Sequence, residues 1–431
     1  MNDRVTRPRV SRRAVNAGIG AALISPALAT TSAFAQGAAP IKIGFGMALT
    51  GPLAVNGQQA LLGTQIWSEE INAKGGLLGR QTQIIYYDDQ SNPSTVPGLY
   101  TKLLDVDKCD IVMSGYATNM IAPAIPVIMQ KNKTFLSLFG LDANSEFHYP
   151  RYFSIIPTAG PNPKATITEG FFQVAAAQNP KPKTVAIAAE DAEFSRNAAE
   201  GARANAKQYG FNVIYDKTYP PNTTDFSPVI RAIQATNADL IVVCSYPLSS
   251  VGMLLSANEL GLKPKMFGGA MVGLQATALK AKLKSHLNGV VNYDNWVPSA
   301  KMMAPAADFF KKYQARAPGL GIDPLGYYLG GWGYARMQVL ADAVTATKSI
   351  DDGKLADYMR GHTFDSIMFK GVKFGKNGEW VTANQLQVQY HDLTDAANLE
   401  TWRGMSYQTV LAPPQEVTGK VIYPFADALK A

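Results

Sequence analysis

The sequence predicts an α/β fold built from two parallel, doubly wound sheets. Apolar segments of strand length alternate with amphipathic segments of helix length from residue 41 to residue 139. This order of elements produces parallel strands joined by right-handed helical crossovers. The alternation restarts at residue 183 and continues to residue 268, so two lobes of similar size are expected. A chain of 431 residues is long enough for two such cores.

The first series has four predicted strands separated by helices. The strands are expected at residues 41–47, 83–89, 110–113 and 134–138. The helices are expected at residues 58–72, 93–106 and 120–129. The last of these contains Pro123 and Pro126. A period near 3.6 residues indicates a helix, and a short apolar run indicates a buried strand.

The second series has the same form. Its strands are expected at residues 183–189, 211–215, 239–244 and 265–268, and its helices at 194–209, 227–235 and 249–260. A strand at 289–293 and helices at 305–316, 328–346 and 354–361 follow. Residues 370–379 predict a β-hairpin, because Asn377-Gly378 favours a tight turn with positive φ. The tail after Tyr390 is expected to be irregular.

The charge and the cysteine content narrow the class of protein. The net charge is +7, but the first 35 residues contribute +4, which leaves +3 (7 minus 4) for the rest. A charge that small does not indicate nucleic-acid binding. Cys109 and Cys244 lie beside or within predicted strands and are interpreted as buried thiols. The four histidines are scattered without metal-ligand spacing, so no metal or cofactor is expected.

The first 35 residues are typical of an export signal. Arg12-Arg13 precedes an alanine-rich apolar run at residues 14–29, and Ala33-Phe34-Ala35 fits the cleavage rule. Cleavage there makes Gln36 the first residue of a periplasmic protein. The paired arginines favour the twin-arginine export route. A transmembrane anchor is the alternative, but Pro26 interrupts the run, which is short for a spanning helix.

Two loops at the carboxyl ends of adjacent predicted strands are candidates for a ligand site. Residues 114–119 follow one strand, and residues 139–144 follow the next. Ligands bind at this edge of an open parallel sheet. A loop that enters a helix presents free N–H groups with the positive end of the helix dipole behind them, which suits a carboxylate. Ordinary βα turns are the alternative interpretation.

Several stretches between residues 41 and 378 carry a family resemblance. The main ones are Ile41-Lys42-Ile43-Gly44, Leu49-Thr50-Gly51-Pro52, Glu70-Ile71-Asn72-Ala73-Lys74-Gly75-Gly76-Leu77-Leu78-Gly79-Arg80, Tyr87-Asp88-Asp89-Gln90-Ser91-Asn92-Pro93 and Thr224-Asp225-Phe226-Ser227-Pro228. They resemble the type I periplasmic substrate-binding proteins of ABC importers, in the leucine/isoleucine/valine-binding branch. The resemblance implies a monomer that binds a small carboxylate and docks on membrane permease subunits.

The resemblance also implies two Rossmann-like lobes joined by a three-strand hinge and closing over the ligand. The crossings are expected near residues 153–157, 290–296 and 365–369. Lobe 1 is then residues 40–156 and 293–365, and lobe 2 is residues 157–292 and 366–431.

The ligand contacts follow from the same resemblance. In relatives, a hydroxyl and backbone N–H groups of the two loops hold the ligand carboxylate, and the second lobe supplies aromatic side chains. Thr118 stands at the hydroxyl position, and Phe194 and Tyr246 stand at aromatic positions, with plain packing as the alternative for both. The candidate ligand-binding residues are Tyr116, Ala117, Thr118, Leu141, Asp142, Phe194, Tyr246 and Ala270.

One departure from the family concerns the α-ammonium of an amino-acid ligand. Amino-acid-binding relatives carry an acid just after the strand near residue 269, where this chain has Ala270. Because an unpaired buried ammonium is costly, the sequence favours a carboxylate without one, such as an aromatic or keto acid. Asp142, Asp191 or Glu193 could supply the missing acid from another loop, so an amino-acid or amide binder stays open.

An enzyme and the sensor lobe of a receptor are the competing classes. The sequence has no nucleophile elbow, P-loop or zinc spacing, and Gly44-Phe45-Gly46 lacks the third glycine of a dinucleotide site. Asp88-Asp89 is interpreted as a solvent-facing loop at the end of a strand in preference to a catalytic pair. No enzymatic activity is therefore expected. A sensor lobe uses the same fold, and the sequence does not separate it from an importer component.

Overall fold

Two large sheets and one two-stranded sheet organise residues 39–429, the part of the chain that the computed structural model describes. The predicted export signal, residues 1–35, lies outside the described residues. The strands are β1 Ile41–Met47, β2 Thr82–Asp88, β3 Ile111–Tyr116, β4 Phe135–Leu138, β5 Tyr152–Ser154, β6 Thr184–Glu190, β7 Asn212–Tyr219, β8 Leu240–Ser245, β9 Met266–Met271, β10 Val290–Asp294, β11 Thr363–Phe364, β12 Val372–Lys373, β13 Leu386–Tyr390 and β14 Gln408–Ala412.

Helices separate most of these strands. The α-helices are α1 Ala54–Ala73, α2 Val96–Asp105, α3 Thr118–Ile121, α4 Ile125–Gln130, α5 Pro163–Ala176, α6 Glu193–Tyr209, α7 Ser227–Gln234, α8 Pro247–Glu259, α9 Thr277–Leu283, α10 Ala300–Met303, α11 Ala307–Arg316, α12 Leu329–Thr347, α13 Asp352–Gly361 and α14 Phe425–Ala428. Short 3-10 helices lie at Pro93–Thr95, Ala122–Ala124, Val272–Gln275, Lys284–Leu287, Pro318–Leu320, Leu399–Arg403 and Pro414–Glu416.

The two sheets give the protein its two lobes. The first has strand order β2-β1-β3-β4-β5, and all its neighbouring strands are parallel. The second has strand order β14-β13-β10-β9-β8-β6-β7, with β6 to β10 parallel and β13 and β14 antiparallel at one edge. The α/β class, the parallel sheets and the two lobes expected from the sequence are confirmed. The residue ranges assigned to each lobe stay a prediction.

Helices α1 and α12 cross closely on the first sheet because glycines line the crossing. A Cβ atom on Gly63 would lie 2.0 Å from the carbonyl oxygen of Gly330, and one on Gly333 would lie 2.4 Å from that of Ala60. Both distances are far below van der Waals contact, so only glycine permits this backbone approach. The crossing brings α12, which carries Arg336, onto the sheet beside the candidate loops.

The segment with two prolines is less regular than the predicted helix 120–129. It consists of α3, a 3-10 turn and α4 in succession. Proline lacks an N–H group and its ring crowds the preceding turn, which accounts for the interruption. The segment begins at Thr118, directly after Ala117, whose φ of +82° turns the chain out of β3.

The prediction of an irregular tail after Tyr390 is wrong. Strand β14 pairs antiparallel with β13 and extends the second sheet. The side chains of β13 are buried on both faces, although Gln387 and Gln389 alternate with apolar residues. The Gln389 amide donates to the carbonyl oxygens of Gly289 (3.2 Å) and Ile422 (3.0 Å). A buried glutamine in a strand therefore depends on partners that no local pattern indicates.

The predicted hairpin at residues 370–379 is formed only in part. Gly378 has φ +86° and donates its N–H to the Gly375 oxygen (3.0 Å), so the tight turn is present. Pairing beyond the turn is limited to an isolated bridge between Phe374 and Trp380. Strand β12 pairs with β11 instead.

Both cysteines are buried free thiols, in agreement with the sequence interpretation. Burial raises the pKa of Cys109 to about 11 and that of Cys244 to about 12, so neither thiol ionises near neutral pH. Within residues 39–429, no helix combines the length and the apolar character that crossing a membrane requires.

Candidate functional site

A small cavity lies where strand ends from both sheets meet. Its lining consists of Tyr116, Ala117, Thr118, Phe139, Ile156, Phe194, Tyr246, Val272, Tyr293, Asn295 and Tyr328. Such strand ends are the usual ligand-binding edge of parallel sheets. The cavity volume is about 10 Å³, roughly the space of one water-sized sphere. A larger ligand has to separate these side chains, or the two lobes, in order to enter.

The structure brings together five of the eight candidate residues. These are Tyr116, Ala117, Thr118, Phe194 and Tyr246. Leu141 and Asp142 lie behind the lining. The Leu141 N–H donates to Thr118 Oγ1 (3.0 Å), and the Asp142 carboxylate lies 3.6 Å from Lys164 Nζ. Their contacts shape the loop that carries Phe139.

Ala270 was expected just after a strand that ends near residue 269. It lies within β9 instead, because that strand continues to Met271. The side chain of Ala270 is fully buried in the sheet, and Ala270 pairs with Cys244 on β8. The first residue after the strand is Val272, which lines the cavity. The residue that follows β9 is therefore apolar, as expected, but it is Val272 and not Ala270.

Six lining residues were not among the sequence candidates: Phe139, Ile156, Val272, Tyr293, Asn295 and Tyr328. Four of them lie within two residues after the ends of β4, β5, β9 and β10. Applying the strand-end rule to the predicted strands at 134–138 and 289–293 would have identified Phe139 and Asn295. Ile156 and Val272 would still have been missed, because β5 was not among the strands predicted from the apolar pattern and β9 extends beyond the predicted strand 265–268. Tyr293 and Tyr328 carry no such local signal.

Aromatic rings from both lobes face the cavity. The ring centroid of Phe194 lies 5.6 Å from that of Tyr246 and 6.3 Å from that of Tyr293. The rings of Tyr116 and Tyr328 meet edge to face at 6.2 Å. These distances and angles are favourable for aromatic pairs, and the rings give the cavity a largely apolar lining.

Thr118 supplies a hydroxyl at the start of α3. The residue is fully buried, and its Oγ1 accepts a hydrogen bond from Leu141 N–H. A threonine hydroxyl accepts and donates at the same time, so the Thr118 proton is available to an oxygen in the cavity. The Leu141 bond also fixes the side-chain rotamer, which preorganises the hydroxyl.

Polar contacts hold the first-sheet loops against the helices of the second sheet. The Tyr246 hydroxyl donates to Asn119 Oδ1 (2.6 Å), and Asn197 Nδ2 donates to the Leu141 oxygen (3.0 Å). The Lys164–Asp142 pair adds a third contact. Together they keep the cavity closed in this conformation.

Acidic side chains lie outside the inner cavity. Among the residues that line it in the described part of the chain, none carries a carboxylate. A wider cavity of about 410 Å³ adjoins it at Tyr246 and is lined by Glu190, Asp191 and Glu193. Asp191 pairs with Arg196 (2.7 Å), and burial raises the pKa of Glu193 to about 7. The acids considered as replacements for the missing ammonium partner therefore lie at the mouth of the cleft or, for Asp142, behind it.

Arg336 is a fully buried cation behind the first candidate loop. Its Nη1 donates to the carbonyl oxygen of Ser114 (2.5 Å), two residues before Tyr116. Burial lowers the pKa of Arg336 to about 10, and its Nε has no partner among the described residues. No ion pair among those residues neutralises it. An uncompensated cation in a low-dielectric interior makes the potential around it positive.

Another cavity is larger, at about 550 Å³, but it contains none of the candidate residues. It is lined largely by residues 366–373 and 380–384. None of its lining residues follows the carboxyl end of a parallel strand, so its position does not match the binding edge of either sheet.

The adjacent acids Asp88 and Asp89 have opposite environments. Burial would raise the pKa of Asp88, but hydrogen bonds from Thr50, Gln90 and Leu49 outweigh it and hold that pKa below its usual value. Burial, with a smaller contribution from the Asp88 charge, raises the pKa of Asp89 to about 7. Asp88 thus organises the loop after β1. The expectation that both acids face solvent is wrong for Asp89, which is 1% exposed.

We expect Asp89→Asn to raise the free energy of unfolding at pH 8 by roughly 1–3 kcal/mol, since one pKa unit corresponds to about 1.4 kcal/mol. The folded-state pKa of about 7 exceeds the usual value of 3.8. Between pH 3.8 and about 7, the folded protein therefore keeps a proton on Asp89 that the unfolded protein has lost. The free energy of unfolding falls as pH rises through this range. Urea denaturation at pH 4, 6 and 8 measures this, and the gain should vanish near pH 4.

Asp88→Asn is the matched control with the opposite sign. Its lowered pKa means that the ionised Asp88 stabilises the fold above its unfolded pKa, and that this contribution is lost as pH falls. The substitution should therefore destabilise the protein at pH 8. An Asp89→Asn protein that is less stable than the parent at pH 8 would contradict the assignment of a buried, unfavourable charge.

Comparisons with known proteins identify the family of the chain. A family model described as periplasmic binding protein matches residues 40–390. The Leu/Ile/Val-binding protein homolog 8 of Brucella suis is 25% identical over 396 residues, which cover 89% of this chain and 95% of that protein.

Two solved structures have the same fold. An ABC-transporter solute-binding protein of R. palustris in complex with 4-hydroxybenzoate aligns with a TM-score of 0.71 and 18% identity, covering 83% of this chain and 94% of that chain. A branched-chain amino acid transporter substrate-binding protein of Streptococcus pneumoniae in complex with isoleucine aligns with a TM-score of 0.68 and 18% identity, covering 89% and 100%.

Two α/β lobes whose strand ends meet at a small cavity have the architecture of a type I periplasmic binding protein. The chain belongs to the periplasmic binding protein family, in its branched-chain amino acid branch. It is a substrate-binding component of an ABC transporter of the Leu/Ile/Val type. Members of the family bind small solutes and permease components, act as binding proteins rather than as enzymes, and are periplasmic or exported.

Proposed function

We propose that the protein captures a small carboxylate that lacks an α-ammonium, with aromatic and keto acids as the candidates. The observation that carries this proposal is the absence of any carboxylate among the described residues that line the inner cavity. An ammonium enclosed there would be buried without a charged partner, which costs several kcal/mol. A ligand whose only charge is negative avoids that cost.

Three features support an anionic ligand with an apolar or aromatic body. The Thr118 hydroxyl has a proton to donate to a carboxylate oxygen. The buried guanidinium of Arg336 lies behind the same loop without an acidic partner. The rings of Phe194 and Tyr246 supply an apolar surface for the body of the ligand.

A branched-chain amino acid is the second candidate. The names of the Brucella relatives and the isoleucine complex of the Streptococcus pneumoniae protein favour it, whereas the 4-hydroxybenzoate complex of the R. palustris protein favours an aromatic acid. For that alternative, Glu190 and Glu193 at the mouth of the cleft are the acids that would pair with the ammonium. The lining of the inner cavity favours the acid without an ammonium.

The remaining parts of the proposal concern delivery. The protein is exported, its signal is removed near Ala35, and it acts in the periplasm as a monomer that docks on permease subunits. Candidate ligand contacts are those of Tyr116, Ala117, Thr118, Phe194 and Tyr246, with Leu141 and Asp142 behind them and Ala270 within the adjacent strand. A closed cavity of about 10 Å³ supports entry by lobe opening followed by closure over the ligand.

A thermal-shift screen tests the proposal. Amino acids, amides, aromatic acids, keto acids and dicarboxylates are compared at equal concentration with the mature protein. We expect the largest increase in melting temperature with benzoate-type acids or 4-methyl-2-oxopentanoate, because a ligand that binds only the folded state stabilises it by mass action. A large increase with leucine, isoleucine or valine and none with the acids would overturn the proposal.

A further inference from the structure

We infer that the ligand is an aromatic acid with a hydroxyl on its ring, and that Asn295 recognises this second oxygen. The inference rests on the proposed carboxylate function and names the ligand class more closely. Asn295 follows the end of β10, lines the inner cavity and is 4% exposed. Thr118 approaches the same cavity from the first sheet. A ligand that contacts both residues meets a polar group on each side.

The orientation of the Asn295 amide is fixed by its neighbour Gln385. The Gln385 nitrogen donates to the Asp294 carbonyl oxygen (2.6 Å) and to Asn295 Oδ1 (3.0 Å). Because a carbonyl oxygen only accepts, the nitrogen of Gln385 has to face it, and the oxygen of Asn295 then has to face Gln385. The Nδ2 group of Asn295 is consequently directed away from this pair.

Asn295 Nδ2 has no hydrogen-bond partner among the described residues, although the side chain is more than nine-tenths buried. Buried donors in folded proteins are nearly always paired, since desolvation without a partner is costly. At a cavity wall, an acceptor on the ligand resolves this deficit. The side chain therefore selects a ligand oxygen and disfavours a methyl group at the same place.

A pair of tyrosine hydroxyls adds a second donor to the same cavity. Asn56 Nδ2 donates to the Tyr116 hydroxyl (3.1 Å), which lies 3.4 Å from the Tyr328 hydroxyl. Tyr116 and Tyr328 both line the cavity. A hydroxyl donates one proton, so whichever of the two donates to the other, the second keeps its proton for a ligand acceptor.

Calorimetric titration of the unmodified protein provides the first test. The ligands are benzoate, 4-methylbenzoate, 3-hydroxybenzoate and 4-hydroxybenzoate, which share the carboxylate and the ring. We expect the better of the two hydroxylated acids to bind at least tenfold more tightly than 4-methylbenzoate, because a site built to hydrogen-bond an oxygen rejects an analogue without it. Equal affinity for benzoate, 4-methylbenzoate and the hydroxylated acids would overturn the inference.

Asn295→Leu provides the second test, because leucine matches asparagine in shape and lacks the amide. The preference for the hydroxylated acid over 4-methylbenzoate should fall to within about threefold of unity. Asn205→Leu is the control: Asn205 is a buried asparagine bonded to Ala165 and Thr168, outside the cavity lining, and its substitution should leave the preference intact. Asn295→Ala replaces the leucine variant if that variant does not fold.

A retained tenfold preference in the Asn295 variants would assign the recognition elsewhere and overturn the inference. The outcome for the proposed function is read separately. If benzoate binds as tightly as the hydroxylated acids, only the inference about Asn295 fails. If none of the four acids binds and leucine does, the proposed function fails and the inference fails with it.

Discussion

The keto acid 4-methyl-2-oxopentanoate should bind at least a thousandfold more tightly than leucine, the amino acid with the same carbon skeleton. The two ligands differ in the group on the α-carbon, an oxo group in one and an ammonium in the other. In the described residues, no carboxylate lines the inner cavity to pair with the ammonium. An unpaired buried charge costs several kcal/mol, and each ~1.4 kcal/mol is a factor of ten in affinity. Calorimetric titration of both ligands into one preparation measures the ratio.

Val272→Glu provides the converse experiment. Val272 lines the cavity at the first position after β9, whereas Ala270 is enclosed in the strand, where a larger side chain would disturb the sheet. A glutamate at position 272 should weaken the keto acid strongly, because it buries a negative charge near another. It should also reduce the ratio of the affinity for the keto acid to the affinity for leucine. Tighter binding of leucine than of the keto acid by the unmodified protein would refute the proposal and point to Glu190 or Glu193.

The sequence predicted the elements that depend on local pattern. Strands such as β1, β6 and β8 lie within one residue of their predicted positions, since apolar runs and helical periods are encoded locally. The predicted loop 114–119 is shorter than expected, because β3 continues to Tyr116 and α3 begins at Thr118. The failures occur where distant partners decide the structure. Strand β14 forms because β13 provides its pairing edge, and the buried Gln389 is satisfied by Gly289 and Ile422.

The site illustrates the same division. Thr118 and Tyr246 were found from the family pattern at their own loops. Tyr328 lies more than two hundred residues from Tyr116, and only the packing of α12 brings their hydroxyls within 3.4 Å. The buried, unpaired Arg336 was also missed, since nothing in its helical sequence distinguishes it from an exposed arginine. The burial of a side chain and its hydrogen-bond partners are tertiary properties, and the specificity of the site depends mainly on them.

Thr118→Val should weaken binding of the carboxylate ligand roughly tenfold to a hundredfold. Valine keeps the shape of threonine and removes the hydroxyl, and a hydrogen bond to a charged group contributes about 1.5–3 kcal/mol. Thr118→Ala should behave alike, whereas Thr118→Ser keeps the hydroxyl and should retain most of the affinity. Calorimetry with the strongest acid found in the thermal-shift screen gives the dissociation constants.

The same substitution has a structural cost that has to be separated from the loss of binding. Thr118 Oγ1 accepts the Leu141 N–H, so valine leaves that buried donor without an acceptor and should lower stability by about 1–3 kcal/mol. Thr168→Val is the matched control, because Thr168 is equally buried and its Oγ1 accepts a hydrogen bond from Asn205 outside the cavity lining. It should lose comparable stability and keep ligand affinity. Unchanged affinity in Thr118→Val and Thr118→Ala would show that the carboxylate is held elsewhere, because both variants remove the only hydroxyl that Thr118 offers.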